Sequence, residues 1–230
     1  MTPRAGIGFA LGAACLFGLS TPAAKLLLRE VDPWMLAGLL YLGSGVGLGT
    51  FWLARAVMGR DRTETSLGRR DLPWLSAAVV TGGVIGPLLL MSGLALGSAS
   101  QSSLLLNLEG VFTALLAWLV VREHFDARIA AGIGLITLGA CLLAWNPAGG
   151  FALDAGAPLV AGACLAWAAD NNLTRKIAAS DPVQIAALKG AVAGSVNVLL
   201  ALTRGAPWPD HGTALGAGFV GLFGYGTSLA

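Results

Sequence analysis

The sequence predicts an all-α integral membrane protein, and three observations support this fold class. Hydrophobic residues make up 56% of the chain and charged residues only 11%, far from the averages of soluble domains. The mean hydropathy is +0.75. Long charge-free runs recur, each able to supply the roughly 20 helical residues that cross a bilayer. A short pattern of residues also returns once, which indicates a duplication.

The duplicated pattern begins at a cysteine and ends at an Asp-Pro pair. Asp32 stands seventeen positions after Cys15, and Asp181 stands seventeen after Cys164, so the two copies are 149 positions apart. Five apolar segments separate the two starts, and an odd number of crossings makes the second copy face the opposite way. Inverted repeats are typical of transporters. We therefore predict two inverted five-helix repeats, at 1–148 and, truncated, at 149–230.

The charge-free runs define the individual helices in order. The first run follows Arg4, and because it has a counterpart at 157–175 we interpret it as a membrane helix, not a cleaved signal peptide. The run from Leu72 to Leu108 is long enough for two helices, which Gly97-Ser98-Ala99-Ser100 separates. Eight transmembrane helices are predicted, at 5–27, 33–57, 72–95, 99–121, 127–145, 157–175, 182–203 and 212–230.

Basic residues predict the orientation. If the N-terminus is cytoplasmic, that side receives ten of them, against three on the outer side, as the positive-inside rule requires. The cytoplasmic set is Arg4, Arg55, Arg60, Arg62, Arg69, Arg70, Arg122, Arg128, Arg175 and Lys176. We expect a multi-pass protein of a bacterial inner membrane, with the 55–70 loop inside and the loops near Ser98 and Gly149 outside. Nucleic-acid binding is not expected.

The sequence offers no catalytic or metal-binding pattern. Cys15, Cys141 and Cys164 lie inside predicted helices, where thiols usually pack as small apolar groups. No CxxC or histidine-rich spacing accompanies them, and no HExxH, GxSxG or Walker-type loop is present. We therefore expect no metal, no cofactor and no enzymatic activity.

Glycine and proline mark two helices as irregular. Pro87 removes a backbone donor midway along the third helix, and Gly83 and Gly86 lie beside it. The eighth helix has glycines, including Gly224, at the corresponding place. Such paired interruptions point to a transporter's central site, so these four residues are predicted to form hinges or line a cavity. Glycines spaced by four, such as Gly45 and Gly49, predict close helix packing.

Three charged residues lie inside predicted helices, where charges cost about 2.5–3.5 kcal/mol each on insertion scales. Asp170 and Lys189 lie at similar depths, about 7 and 10 Å from the cytoplasmic edge at 1.5 Å per residue, so we predict an ion pair. Glu109 lies thirteen residues before Arg122, about 20 Å deep and near the bilayer midplane. Lys25 lies at a helix end, from which its side chain can reach the interface.

Polar residues accompany these charges. Ser103 and Asn107 form a stripe beside Glu109, and Asn171 follows Asp170. We predict that Glu109, Asn107, Ser103, Asp170, Asn171 and Lys189 bind substrate or protons. Glu109 at that depth is expected to exchange a proton or bind an amine. Hydrogen bonding between helices is the alternative for Glu109 and Asn171, and a purely structural ion pair is the alternative for Asp170 and Lys189.

One segment resembles a known family. Gly97-Ser98-Ala99-Ser100-Gln101, Leu108 to Trp118 and Arg122-Glu123 resemble the fourth helix of EamA-type permeases in the drug/metabolite transporter superfamily. The resemblance implies ten helices in two inverted repeats, cytoplasmic termini and secondary transport by alternating access. Gly110 replaces the usual proline, and the sequence stops at Ala230 within the eighth helix. A fragment is therefore expected, with a short form completed by another subunit as the alternative.

The predicted function is secondary transport of a small polar or amphipathic metabolite, directed outward and driven by protons. Its expected partners are the lipid bilayer, a small-molecule substrate and protons, and a homodimer is left open. A channel-like pore and a membrane accessory protein without transport activity are the alternatives.

Overall fold

The computed structural model of the protein describes residues 3–58, 65, 67–122, 126–146, 150–151 and 154–226. Predicted features at Glu123, Gly149 and residues 227–230 lie outside this part of the chain. Each predicted apolar segment is mainly helical where it is described. The helices are α1 (Pro3–Leu27), α2 (Pro33–Val57), α3 (Leu72–Leu96), α4 (Ala99–Leu105), α5 (Leu108–Leu119), α6 (Ala127–Ala144), α7 (Ala157–Thr174), α8 (Pro182–Thr203) and α9 (His211–Val220).

The surface of the helical bundle is apolar, as a membrane protein requires. Among the described helices, α2, α3, the α4–α5 segment and α8 are long and apolar enough to span a membrane. Large apolar side chains face outward: Leu135 is 69% exposed and Leu215 is 72% exposed. Buried positions include polar residues such as Ser44 and Asn197. An apolar exterior of this extent is stable against lipid and not against water.

The predicted fourth helix, 99–121, is wrong in one respect, because the chain breaks it into α4 and α5. The N–H groups of Asn107 and Glu109 bond three residues back, to the carbonyls of Leu104 and Leu106, at 3.2 and 3.1 Å. The Asn107 side-chain amide also donates to the Leu104 carbonyl, at 2.9 Å. Asparagine side chains compete in this way with the helical backbone, so the turn tightens here.

A small β-ribbon was not predicted. Trp145–Asn146 (β1) pairs antiparallel with Gly150–Phe151 (β2) directly after α6. The predicted fifth helix therefore ends at Ala144, one residue earlier than expected. Backbone groups after the end of a helix have no hydrogen-bond partners within that helix. In this ribbon they bond to the opposite strand.

The Asp-Pro pairs that mark the duplication have the same local structure. The Asp32 carboxylate accepts hydrogen bonds from the N–H groups of Trp34 and Met35 at the start of α2. The Asp181 carboxylate does the same at the start of α8, with the N–H groups two and three residues later. Aspartate at the N-cap satisfies donors that a helix start leaves free.

Lys25 is more firmly held than its position at a helix end suggested. Its ammonium donates to the carbonyl of Leu94 and, at 2.7 Å, to that of Gly97. These carbonyls belong to the C-terminus of α3, which carries partial negative charge. Lys25 therefore joins α1 to the C-terminal end of α3.

The most extensive contact between described helices is the crossing of α2 and α8. A Cβ atom at Gly45 would overlap the backbone of Ala191, and one at Gly190 would lie 2.6 Å from the Gly45 nitrogen. Small residues at this crossing let the two backbones touch. Gly49, which was also predicted to pack closely, does not do so, because a Cβ atom added there would have nothing within 4 Å.

Candidate functional site

A cavity of about 520 Å³ opens between the helices. Its volume is within the range of about 300–1,000 Å³ that is usual for small-molecule sites. Side chains from α1, α2, α5, α7 and α8 line it, together with Tyr225, which follows α9. The charged and amide residues are Glu109, Asp170, Asn171 and Lys189, and the aromatic residues are Phe17, Tyr41, Trp167 and Tyr225.

Asp170 and Lys189 form the predicted ion pair, with the Lys189 ammonium in contact with the Asp170 carboxylate. The Asp170 side chain is 5% exposed and that of Lys189 is 19% exposed. The hydroxyl of Thr174 also donates to Asp170, at 3.1 Å. The pairing is confirmed. Its predicted role in binding substrate or protons stays a prediction.

Gly82 of α3 makes room for this carboxylate. A Cβ atom at Gly82 would overlap the Asp170 side chain. The sequence pattern pointed to the neighbouring glycine, Gly83, and did not identify Gly82 as the contact. Any larger residue at Gly82 would push Asp170 away from Lys189.

Glu109 lies in the first turn of α5, directly after the break between α4 and α5. The Asn171 side-chain amide donates to the Glu109 carboxylate at 2.9 Å and to the Thr113 hydroxyl at 3.3 Å. Asn172 donates to the Thr113 carbonyl at 3.2 Å. Amide side chains of α7 therefore connect α7 to α5 by hydrogen bonds. Within the described residues, Glu109 has no cationic side chain in an ion pair with it.

The irregularity predicted in the third helix is confirmed as a π-helical segment, Val79–Ile85. The Gly86 N–H bonds five residues back, to the Thr81 carbonyl, and Pro87 has no N–H to donate. The carbonyls of Gly82 and Gly83 are thereby left without the donors of a regular α-helix.

Three side chains from other helices satisfy these carbonyls. The Tyr41 hydroxyl and the Trp167 indole N–H donate to the Gly82 carbonyl, at 2.8 and 2.9 Å. The Asn197 amide donates to the Gly83 carbonyl at 3.0 Å. A buried carbonyl without a donor costs about 1–3 kcal/mol, so α2, α7 and α8 stabilise the irregular segment of α3.

Tyr41, Trp167 and Asn197 were not predicted from the sequence. Each is a side chain with a hydrogen-bond donor inside a predicted membrane helix, and each is buried. That combination was a usable signal, because a polar atom at such depth needs a partner. What the sequence did not contain was the identity of that partner, a backbone carbonyl of another helix.

The other predicted site residues lie outside the cavity lining. The Asn107 side chain donates to the Leu104 carbonyl of α4, and neither Ser103 nor Asn107 is among the lining residues. Gly83, Gly86 and Gly224 are packing contacts: added Cβ atoms would meet Ala193, Trp167 and Ser20 respectively, at 2.5–2.7 Å. Pro87 is buried. Binding and hinge roles for these residues stay predictions.

Comparison with known proteins gives three findings. Residues 4–145 match the model of the EamA-like transporter family. A protein of Methanothermobacter thermautotrophicus, named as an uncharacterized transporter, is 29% identical over 209 residues, which is 84% of this chain and 60% of that relative. A solved crystal structure superposes with a TM-score of 0.67 at 17% identity, over 96% of this chain and 75% of that one. At that identity the likeness concerns the fold alone.

Proposed function

Because the chain belongs to the EamA-like transporter family, we propose that it transports a small polar or amphipathic metabolite across a membrane by alternating access. Export driven by protons is the specific form that we propose. The membrane is proposed to be a bacterial inner membrane, with the N-terminus on the cytoplasmic side. The chain spans about 60% of the curated relative that it matches, so the proposal concerns the complete protein.

The observation that carries the proposal is the cavity itself. Two carboxylates and one ammonium, those of Glu109, Asp170 and Lys189, line one space inside a bundle with an apolar exterior. Charged side chains are costly in a membrane and are mostly retained along substrate or ion pathways. A volume of about 520 Å³ would accommodate a small metabolite.

Glu109 is the proposed proton carrier. Lys189 is already in contact with Asp170, which leaves Glu109 as the cavity carboxylate without a cationic partner among the described residues. Its carboxylate accepts a hydrogen bond from Asn171, and this neutral donor is compatible with both protonation states. Glu109 is therefore the group best suited to take up and release a proton as the cavity changes its access.

We also propose that residues 1–148 and 149–230 are inverted repeats. Two features support this: the equivalent N-caps Asp32 and Asp181, and a second π-helical segment, Gly221–Gly226, which extends α9. Val79–Ile85 begins seven positions after the start of α3, and Gly221–Gly226 begins ten positions after the start of α9. Paired irregular helices of this kind surround the substrate in many transporters.

Uptake into proteoliposomes tests the proposed function. The complete protein is reconstituted, and a mixture of isotopically labelled amino acids, amines, nucleosides and sugars is added outside. Mass spectrometry then measures what enters. We expect saturable uptake of one class, with acceleration when the same unlabelled compound is trapped inside, and an imposed pH gradient should increase the rate.

Empty liposomes and liposomes containing the Glu109→Gln protein are the controls. Flux that rises linearly with concentration and shows no counterflow would indicate a channel-like pore. Absence of flux for every class would contradict transport and favour an accessory role. The mass of the purified protein in detergent, measured by light scattering, tests the homodimer.

A further inference from the structure

The charges that line the cavity do not balance. Two carboxylates, Glu109 and Asp170, face one ammonium, that of Lys189, so the described lining carries a formal charge of −1. The ammonium is in contact with Asp170. The uncompensated charge is therefore that of Glu109, and a ligand that brings one positive charge would neutralise the cavity.

Glu109 and Asn171 present hydrogen-bond acceptors at one place. The Asn171 amide nitrogen donates to one carboxylate oxygen of Glu109 and to Thr113. The second carboxylate oxygen of Glu109 and the amide oxygen of Asn171 accept no hydrogen bond from a described residue. The amide oxygen is only an acceptor, and so is the carboxylate when it is ionised, so together they suit the N–H groups of an ammonium and not the oxygens of an anion.

Four aromatic side chains form part of the cavity lining. Phe17 packs edge-on against Tyr225, with ring centroids 6.1 Å apart, and Tyr41 lies 6.0 Å from Tyr225. Trp167 completes this wall. Aromatic faces attract cations and also bury apolar groups. One molecule can satisfy both parts of the cavity when a positive head is joined to a compact apolar body.

From this arrangement we infer that the cavity binds an amphipathic organic monocation, with its ammonium on Glu109 and Asn171 and its apolar body against Phe17, Tyr41 and Tyr225. This inference rests on the proposed transport function and names the substrate class. A carboxylate on the ligand would have to displace Asp170 from Lys189. Zwitterions and anions should therefore bind less well than the corresponding amine.

The affinities of four ligands of similar shape show which charge state the cavity prefers. Calorimetry measures binding to the purified protein in lipid nanodiscs of 2-phenylethylamine (a cation), 2-phenylethanol (neutral), phenylalanine (a zwitterion) and 3-phenylpropionate (an anion). A hydrogen-bonded charge pair should favour the amine over the alcohol by roughly tenfold or more. Equal or tighter binding of any of the other three ligands would overturn the inference.

Two matched variants localise the effect. Glu109→Gln keeps the shape and an acceptor for Asn171, and should abolish the preference for the amine over the alcohol. Glu30→Gln changes an exposed carboxylate outside the cavity and should leave both affinities unchanged. Retention of the tenfold preference by a Glu109→Gln protein that still binds the alcohol would overturn the assignment to Glu109. The comparison of ligands on the unmodified protein decides the class even if the variant fails to fold.

The two proposals fail in different ways. Saturable uptake of sugars or anions, but not of amines, would leave transport standing and overturn the cationic class. Tight amine binding without uptake of any compound would confirm the ligand class and contradict transport.

Discussion

Gly45 of α2 and Gly194 of α8, which stand 149 positions apart, make reciprocal contacts where their helices cross. A Cβ atom at Gly45 would overlap the nitrogen of Ala191, and one at Gly194 would lie 2.5 Å from the nitrogen of Leu42. Leu42 and Ala191 are likewise separated by 149 positions. Each contact is thus the image of the other, as a two-fold axis between inverted repeats would produce.

The first prediction concerns this crossing. Gly45→Ala and Gly194→Ala should each lower the melting temperature of the purified protein, because overpacking costs about 1–3 kcal/mol. Gly49→Ala is the matched control, since nothing lies within 4 Å of that position, and it should be neutral or slightly stabilising. Equal melting temperatures for Gly45→Ala and Gly49→Ala would contradict the close crossing.

The second prediction concerns Asp170 and Lys189. Asp170→Asn or Lys189→Met alone should strongly reduce the amount of folded protein in the membrane, because removing one partner of a buried pair costs about 3–5 kcal/mol. The double variant should recover much of the loss. Fluorescence-detected size exclusion of a tagged protein measures this. A double variant no better than the worse single one would refute the energetic pairing.

The third prediction concerns Glu109 as the proton carrier. Glu109→Gln should insert and fold normally but lose the effect of a pH gradient on transport, because glutamine cannot release a proton. Uptake into proteoliposomes with and without an imposed gradient measures it. A well-folded glutamine variant with full pH-driven transport would remove Glu109 from the coupling mechanism.

The fourth prediction concerns the shared carbonyl of Gly82. Tyr41→Phe or Trp167→Phe leaves one donor on this carbonyl, so each single variant should be mildly destabilised. The double variant leaves a buried carbonyl unsatisfied and should lose more than the sum, by about 1–3 kcal/mol. A double-mutant cycle from denaturation in mixed micelles measures the coupling. Strict additivity would show that the two donors act independently.

The fifth prediction concerns orientation. After removal of the native cysteines, Gly149→Cys should react with an impermeant maleimide added outside the cell, and Thr65→Cys should not. Thr65 is exposed and lies beside Ser180, at the connection between α7 and α8. Lysed cells provide the control for reactivity. The reverse pattern of labelling would place the N-terminus outside.

Hydropathy, charge and turn chemistry were enough to predict a helical membrane protein, most helix boundaries and the Asp-Pro helix starts. These properties depend on stretches of neighbouring residues, so they can be deduced from the sequence. The Asp170–Lys189 pair was also predictable, because consecutive antiparallel helices place residues of similar depth next to each other. The depth of Glu109, which rests on counting residues, stays a prediction.

The packing of the helices determines contacts that no local sequence pattern predicts. Tyr41, Trp167 and Gly82 meet because three helices, distant in the chain, rotate these residues toward one another. Beside Glu109 the helix is interrupted, and there the Asn107 side chain donates back to the Leu104 carbonyl. A run of uncharged residues does not reveal such an interruption. Depth in the membrane can be counted along the chain, whereas rotation about a helix axis is set by packing against neighbours. For that reason the charged candidates could be identified from the sequence, whereas the cavity that they line was determined by how the helices pack.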